Sequence, residues 1–275
     1  MNVKFPRKIS QHYYSVHYTY VLNLLKEIDE ITLTEYDATE DLNDVTFRCY
    51  FDNKEVLFCF SDDNYKFEDR TDSAIYHVTD VPIFKFHHGF ANVFHGNVLP
   101  FTPVSFHDWK QFYEIRNNIG YTCNSDIILS NQRPSGNAVK RRKQVQDLLS
   151  NTYGNNFDSS KSNQLAFWNK INNCLVSVCV PGYCNNMLDR GQLQYMALGC
   201  CTISPDLPEV LPNCNILQPQ VHYIQCANDY SDLIEKIEWC KSNRKECIAI
   251  GDNAKAAFLS FGMPHALFGW IKKYL

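Results

Sequence analysis

Apolar and polar positions change rhythm along the chain. Residues 11–28 set Tyr14, Val21, Leu22 and Leu25 near helical spacing, which predicts a helix. Residues 45–60 read VTFRCYFDNKEVLFCF. Two β-rich runs around Asp52-Asn53 predict a β-hairpin. Short strands follow at 74–78 (AIYHV) and 83–86 (IFKF), and the stretch 87–107 reads as irregular.

After about residue 120 the pattern alternates. DIILS at 126–130 predicts a strand, and SGNAVKRRKQVQDLLSNTYG a loop and then a helix ending near Gly154. CLVSVCV at 174–180 predicts a strand closed by Pro181-Gly182. A helix over 187–198, strands CCTIS and VHYIQ, and a helix over 230–242 with Asp229 as N-cap follow. Two more helices are predicted at 244–261 and 265–274. Strands alternating with helices predict a parallel, Rossmann-like half. The mixed pattern before it makes the chain α/β, two halves with a cleft between them.

Composition narrows the class. The chain has 275 residues and a net charge of −4, so the protein as a whole is not a polyanion binder and no nucleic-acid partner is expected. Aromatics reach 14%, with 16 Tyr and 18 Phe, enough for a sizeable core. No apolar run approaches the ~18 residues of a membrane span. The N-terminus MNVKFPRKISQHYYSVHYTY carries no apolar leader core, and a cytoplasmic protein is the expectation. Twelve cysteines include no Cys-x-x-Cys pair and sit in apolar runs, so they read as reduced core residues.

Dinucleotide, P-loop and Gly-x-Ser-x-Gly motifs are absent, as is a strict Asp-x-Asp. His87 and His88 are adjacent and read as loop histidines. Three features carry possible chemistry. Residues 131–146 hold Arg133, Lys140, Arg141, Arg142 and Lys143 with no acid, after the small loop Ser135-Gly136-Asn137. A strand, a polar loop and a basic helix start can cradle phosphate oxygens; a solvated helix face explains the same charge. RGQLQYMALGCCTISPDLPEVLP at 190–212 ends a buried strand in Asp206 and Glu209. Carboxylates at a strand's carboxyl end can bind sugar hydroxyls or ribose; a Pro-rich turn with exposed acids is the alternative. Asp80, in YHVTDVPIF, is either a base at a cleft wall or a turn residue.

These features together resemble glycosyltransferase family 90, the protein O-glucosyltransferase and capsule-associated family. VTDVP at 78–82 matches the family's V-x-D-x-P pattern, and NQRPSGNAVKRR at 131–142 resembles its S-R-x-S segment with a longer spacer. LGCCTISPDLPEVLPNCNILQPQVHYIQCANDYSDLIEKIEW resembles its small-residue strand, acidic turn, His-Tyr-Ile triplet and Asp-capped helix. Arg190 lies about two residues before the family's usual arginine register. The resemblance covers roughly 75–275 with gaps.

It implies a GT-B fold: an acceptor-side domain over 1–120, a UDP-sugar-binding Rossmann-like domain over 121–262, and a terminal helix over 263–275 packing back on the first domain. It also implies inverting, metal-independent sugar transfer with Asp80 as base. Arg133, Ser135, Arg142 and Arg190 would hold the UDP phosphates, and Asp206, Glu209 and His222 the donor sugar or nucleoside. No cofactor beyond the UDP-sugar is expected. A short, cysteine-rich member of this kind resembles the glycosyltransferases with which large DNA viruses decorate capsid glycans. That implies UDP-xylose as donor and a fucose-containing glycan or glycoprotein as acceptor. UDP-glucose transfer and a non-catalytic glycan-binding protein are the alternatives. A hydrolase would need two carboxylates about 5–10 Å apart, with Asp206 and Glu209 as candidates.

Overall fold

The computed structural model describes residues 1–7, 15–37, 46–60, 80–86, 88, 97–102, 108–118, 120–182, 187–213 and 216–275. The strand expected at 74–78, Val78 and Thr79 of VTDVP, His87, Cys184 and Cys214 lie outside them. The chain is a mixed α/β protein with two sheets, divided into two compact units. Met1–Trp109, Glu209–Asn215 and Ser260–Leu275 form the first, and Lys110–Pro208 with Ile216–Leu259 the second. The opening segment of the first unit ends at Trp109, and a segment from the middle of the chain rejoins that unit. A linear pattern carries no mark of such a return.

In the first unit β1 (Asn2–Pro6), β2 (Thr32–Tyr36), β3 (Thr46–Phe51), β4 (Lys54–Cys59), β5 (Ile83–Lys85) and β6 (Val98–Pro100) form one sheet, ordered β2-β1-β3-β4-β5-β6. It is mixed. β3 runs antiparallel to β1 and β4, whereas β1/β2, β4/β5 and β5/β6 are parallel. The cause is local. Asp52 (φ 46) and Asn53 (φ 71) both take left-handed backbone, as a two-residue type I′ turn requires, and such a turn makes its flanking strands antiparallel. The sequence pattern of this half reads as mixed, and its described strands form a mixed sheet; a Rossmann-like first domain was implied by the family resemblance alone.

The aromatic excess is spent here. Phe47 stacks between Phe58 and Phe60, with centroids 5.3 and 5.7 Å away, and Phe5 meets Tyr18 edge-on at 4.7 Å. Each fully buried Phe contributes roughly 2–3 kcal/mol of transfer free energy. Helix α1 (Ser15–Lys26) adds Val21, Leu24 and Leu25 to this core. Much later in the chain, α8 (Pro264–Lys272) adds Leu267, Phe268 and Ile271. The Trp270 indole donates to Pro100 O at 2.9 Å. The returning segment is pinned by Asn213, whose amide donates to Ser260 O (3.3 Å) and Ala266 O (3.4 Å).

The second unit holds β7 (Ile128–Leu129), β8 (Phe157–Asp158), β9 (Val176–Val178), β10 (Thr202–Ser204) and β11 (Ile224–Gln225), all parallel. Their order is β11-β10-β9-β7-β8. Its helices are α2 (Trp109–Asn118, whose first residue belongs to the first unit), α3 (Val139–Tyr153), α4 (Gln164–Asn172), α5 (Arg190–Ala197), α6 (Leu233–Ser242) and α7 (Arg244–Phe261, whose last two residues belong to the first unit). Strands β1, β2 and β8 and helices α2 and α4 had no sequence expectation, and β6 falls within the stretch 87–107 that reads as irregular. The N-cap of α6 is Asp232 rather than Asp229. Asp229 instead accepts Ser231 N at 3.0 Å and closes a local turn before the helix.

Ten of the described cysteines are buried. Burial pushes the thiols of Cys49, Cys179 and Cys200 well up, so they stay neutral fillers. Among the described residues no helix is long and apolar enough to cross a membrane.

Candidate anion site at the carboxyl edge of the parallel sheet

The strand order of the second unit reverses between β7 and β9. The chain goes from β7 outward to β8, then returns to β9 on the other side of β7. In open α/β sheets such a switch point, at the carboxyl ends of the strands, is where the exit loops diverge and ligands bind. The basic segment of the sequence emerges from β7 there, and the Val180–Gly182 turn emerges from β9.

Residues 131–135 lead away from β7, with Ser135 extended. Gly136 (φ 56) turns the chain into a short 3₁₀ turn, Gly136–Ala138, that leads directly into α3. Arg133 and Ser135 are exposed on this loop, and the Ser135 hydroxyl lies 3.5 Å from Arg133 O. Gln146 reaches back from α3, its amide donating to Ser130 O (3.2 Å) and Gln132 O (3.0 Å). Gln132 is buried, and its Oε1 accepts the Val180 amide.

Two arginines of α3 face the β9 exit. Arg141 donates from Nη2 to Pro181 O (2.6 Å) and Gly182 O (3.1 Å). Arg142 donates from Nε to Val180 O (2.9 Å), from Nη1 to Arg133 O (2.8 Å) and from Nη2 to Asp189 Oδ2 (2.9 Å). Asp189 is the N-cap of α5, its Oδ1 accepting Gly191 N at 2.8 Å. Arg190 follows it, exposed, at the first helical position. Gln192 joins α5 to β10 through Thr202 Oγ1 (3.4 Å) and Ser204 Oγ (3.3 Å).

The edge therefore carries exposed cations, Arg133, Lys140 and Arg190, on loops held from beneath by a buried polar lattice. Exposed guanidinium groups beside helix starts favour phosphate and carboxylate oxygens.

The eight residues singled out from the sequence divide unequally. Arg133, Ser135 and Arg142 come together, and Arg190 adjoins them through Asp189. Arg142 differs from its expected place: it is 9% exposed and its guanidinium is engaged with protein groups. The signal was present, because Arg142, Val145 and Leu149 share the buried face of α3 at helical spacing. Asp206 follows β10 and neighbours Tyr223, whose hydroxyl accepts Leu207 N at 3.2 Å. His222 braces its own turn, with Nδ1 accepting Gln218 N at 2.9 Å, and burial holds its pKa below the ordinary histidine value.

Asp80 and Glu209 belong to the first unit. Asp80 is exposed just before β5. Glu209 is buried, beside Val210, whose amide donates to His88 O at 2.9 Å. Gln132 and Asp189 were not singled out from the sequence, and Arg141 was named there only as part of the basic run. Asp189 had the clearest signal, an acid directly before a helix start.

No family model matches the chain. A stretch of 89 residues, 29% of the chain, is 35% identical to Uncharacterized protein 179R of Invertebrate iridescent virus 6, of which it spans 7%. Forty residues, 14% of the chain, are 45% identical to Uncharacterized protein 035R of Invertebrate iridescent virus 3 and span 4% of it. Fifty-six residues, 20% of the chain, are 39% identical to Uncharacterized protein 027R of Frog virus 3 (isolate Goorha) and span 5% of it. The chain thus matches less than a tenth of the length of each of these viral relatives.

Proposed function

We propose that the chain is an inverting, metal-independent glycosyltransferase of the GT-B kind that moves a sugar from a UDP-sugar to a glycan hydroxyl. The observation that carries this reading is the coincidence of the β7/β9 switch point with the exposed cations Arg133, Lys140 and Arg190. A departing UDP develops negative charge on its phosphates. One cation about 4 Å away is worth about 4 kcal/mol at an effective dielectric of about 20. Positively charged groups fixed before reaction supply that stabilisation without reorganising. In this reading Asp80 is the base that takes the proton of the acceptor hydroxyl as its oxygen attacks the anomeric carbon from the face opposite UDP. Asp206 and His222 stand near the donor, and Glu209 acts from the first unit.

Xylose is the preferred sugar, fucose of a glycan or glycoprotein the preferred acceptor, and the host cytoplasm the preferred place. The resemblance to virus enzymes that decorate capsid glycans supports these choices, and the viral sources of the three relatives agree with it.

Calorimetry with UDP tests the reading. Binding to the wild type, weakened by Arg133→Ala, is the expected result. An unchanged affinity would return the basic loop to a solvated face. UDP release from UDP-xylose should exceed that from UDP-glucose and survive EDTA; loss restored by manganese or magnesium would refute the metal-free mechanism.

A further inference from the structure

Arg142 occupies the point where three separate backbone segments meet. Its Nε, Nη1 and Nη2 bond the β9 exit at Val180, the β7 exit at Arg133 and the α5 cap at Asp189. Asp189 divides its own carboxylate, one oxygen to Arg142 and the other to Gly191 N. Side-chain exposure is 11% for Arg142 and 17% for Asp189, so the pair is screened little by solvent. Gln132 closes the arrangement by accepting Val180 N. The planar guanidinium fork suits this geometry, because its donors point in fixed and different directions. A residue so engaged would have to break buried bonds before meeting a ligand.

We infer that Arg142 and Asp189 are positioning residues: their ion pair fixes the β7 exit against the start of α5, and so sets the distance between the two exposed arginines that flank it, Arg133 and Arg190. This rests on the proposed phosphate-bearing donor at that edge. It reassigns Arg142, which the family resemblance implied as a phosphate ligand, and gives Asp189 a role beyond capping. The ligand meets Arg133 and Arg190, and Arg142 holds the frame beneath them.

Two variants separate positioning from direct contact. Asp189→Asn keeps the side-chain shape and the ability to cap α5, but removes the charge that holds Arg142. A ligand-binding Arg142 released from its acid would bind UDP more tightly. A positioning Arg142 loses its anchor, and UDP binding weakens about tenfold, or about 1.4 kcal/mol. Arg142→Lys keeps the charge but loses the fork, and is expected to weaken UDP binding by a similar factor. The second readout needs no ligand. In UDP-free protein, hydrogen exchange at the Val180 and Gly191 amides should speed up in Arg142→Lys while the amides of β10 stay protected.

Tighter UDP binding by Asp189→Asn would overturn the inference. So would unchanged exchange at Val180 and Gly191 in Arg142→Lys. Wild-type protein that binds no UDP would sink the donor reading instead, and the exchange experiment would still decide whether the pair holds the frame. Should Arg142→Lys fail to fold, Asp189→Asn carries the same exchange measurement at Val180.

Discussion

A Cβ on Gly251 would stand 1.9 Å from the carbonyl oxygen of Gly199. Gly251 lies inside α7, and Gly199, with φ at +75, forms the turn that leads towards β10. The Cys201 amide is also only 3.2 Å from that Cβ position. In an open helix, Gly→Ala stabilises by about 1 kcal/mol. Here the obstacle is backbone, which cannot swing aside as a side chain can. Gly251→Ala is expected to destabilise by about 2–3 kcal/mol through overpacking. Urea denaturation checks this, and a variant as stable as the wild type would show that α7 can slide away from the turn.

The hairpin between β3 and β4 gives a second case in which backbone conformation decides. Asn53 sits at φ 71, in the region that β-branched residues avoid. Among the described residues its side chain makes a long contact to Lys4 Nζ, at 3.4 Å on the surface. Asn53→Val should therefore cost about 1–2 kcal/mol through the left-handed backbone alone. Asn53→Gly, losing little, should match or slightly exceed the wild type. Thermal unfolding of the three proteins gives the ranking, and a Val variant equal to the Gly variant would contradict the turn assignment.

That hairpin was the most legible element of the chain. β-rich runs on both arms and Asp52-Asn53 between them specify both pairing and turn, and the register Cys49↔Val56 and Tyr50↔Glu55 follows. Strands buried on both faces are less legible. CLVSVCV reads as seven strand residues; the strand is Val176–Val178, and backbone bonds to the neighbouring strands reach Leu175 and Cys179 but not the ends of the run. A continuous apolar run does not mark where hydrogen bonding stops. The basic loop was found by charge, but charge does not tell an arginine facing water from one facing the core. Arg142 needed the helical phase of Val145 and Leu149 to be placed. The return of Glu209–Asn215 to the first unit rests on contacts such as Asn213 with Ala266, which no local pattern encodes.

His222 makes the fold sensitive to mild acid. Its Nδ1 accepts the Gln218 amide, so the neutral ring is the one the turn uses, and burial also favours that form. The folded pKa is thus below the unfolded value of about 6.5. Between those two values the unfolded chain binds the proton more readily, so stability falls as pH drops through that window and is complete above it. His222→Ala should cost up to about 1 kcal/mol at pH ~7.5, the scale of one hydrogen bond at a half-buried site. The difference should be smaller at pH ~5, where the wild type has lost part of the same contribution. Parallel unfolding curves at the two pH values check this; a difference independent of pH would mean the ring contributes by packing alone.

Asp80 tests the chemistry apart from donor binding. It lies in the first unit, exposed, where β5 begins, whereas every cation assigned to the phosphates lies in the second. If Asp80 is the base, Asp80→Asn removes a proton acceptor needed only as the acceptor hydroxyl attacks. Turnover should fall by about 10²–10⁴-fold while UDP affinity stays within about twofold. An effect of equal size on turnover and on UDP binding would mark Asp80 as a donor contact. Turnover retained above about a tenth of the wild type would remove it from the reaction. Because asparagine keeps the size and polarity of the side chain, an exposed substitution of this kind should leave stability within about 0.5 kcal/mol. A lost rate in this variant is then attributable to the missing base.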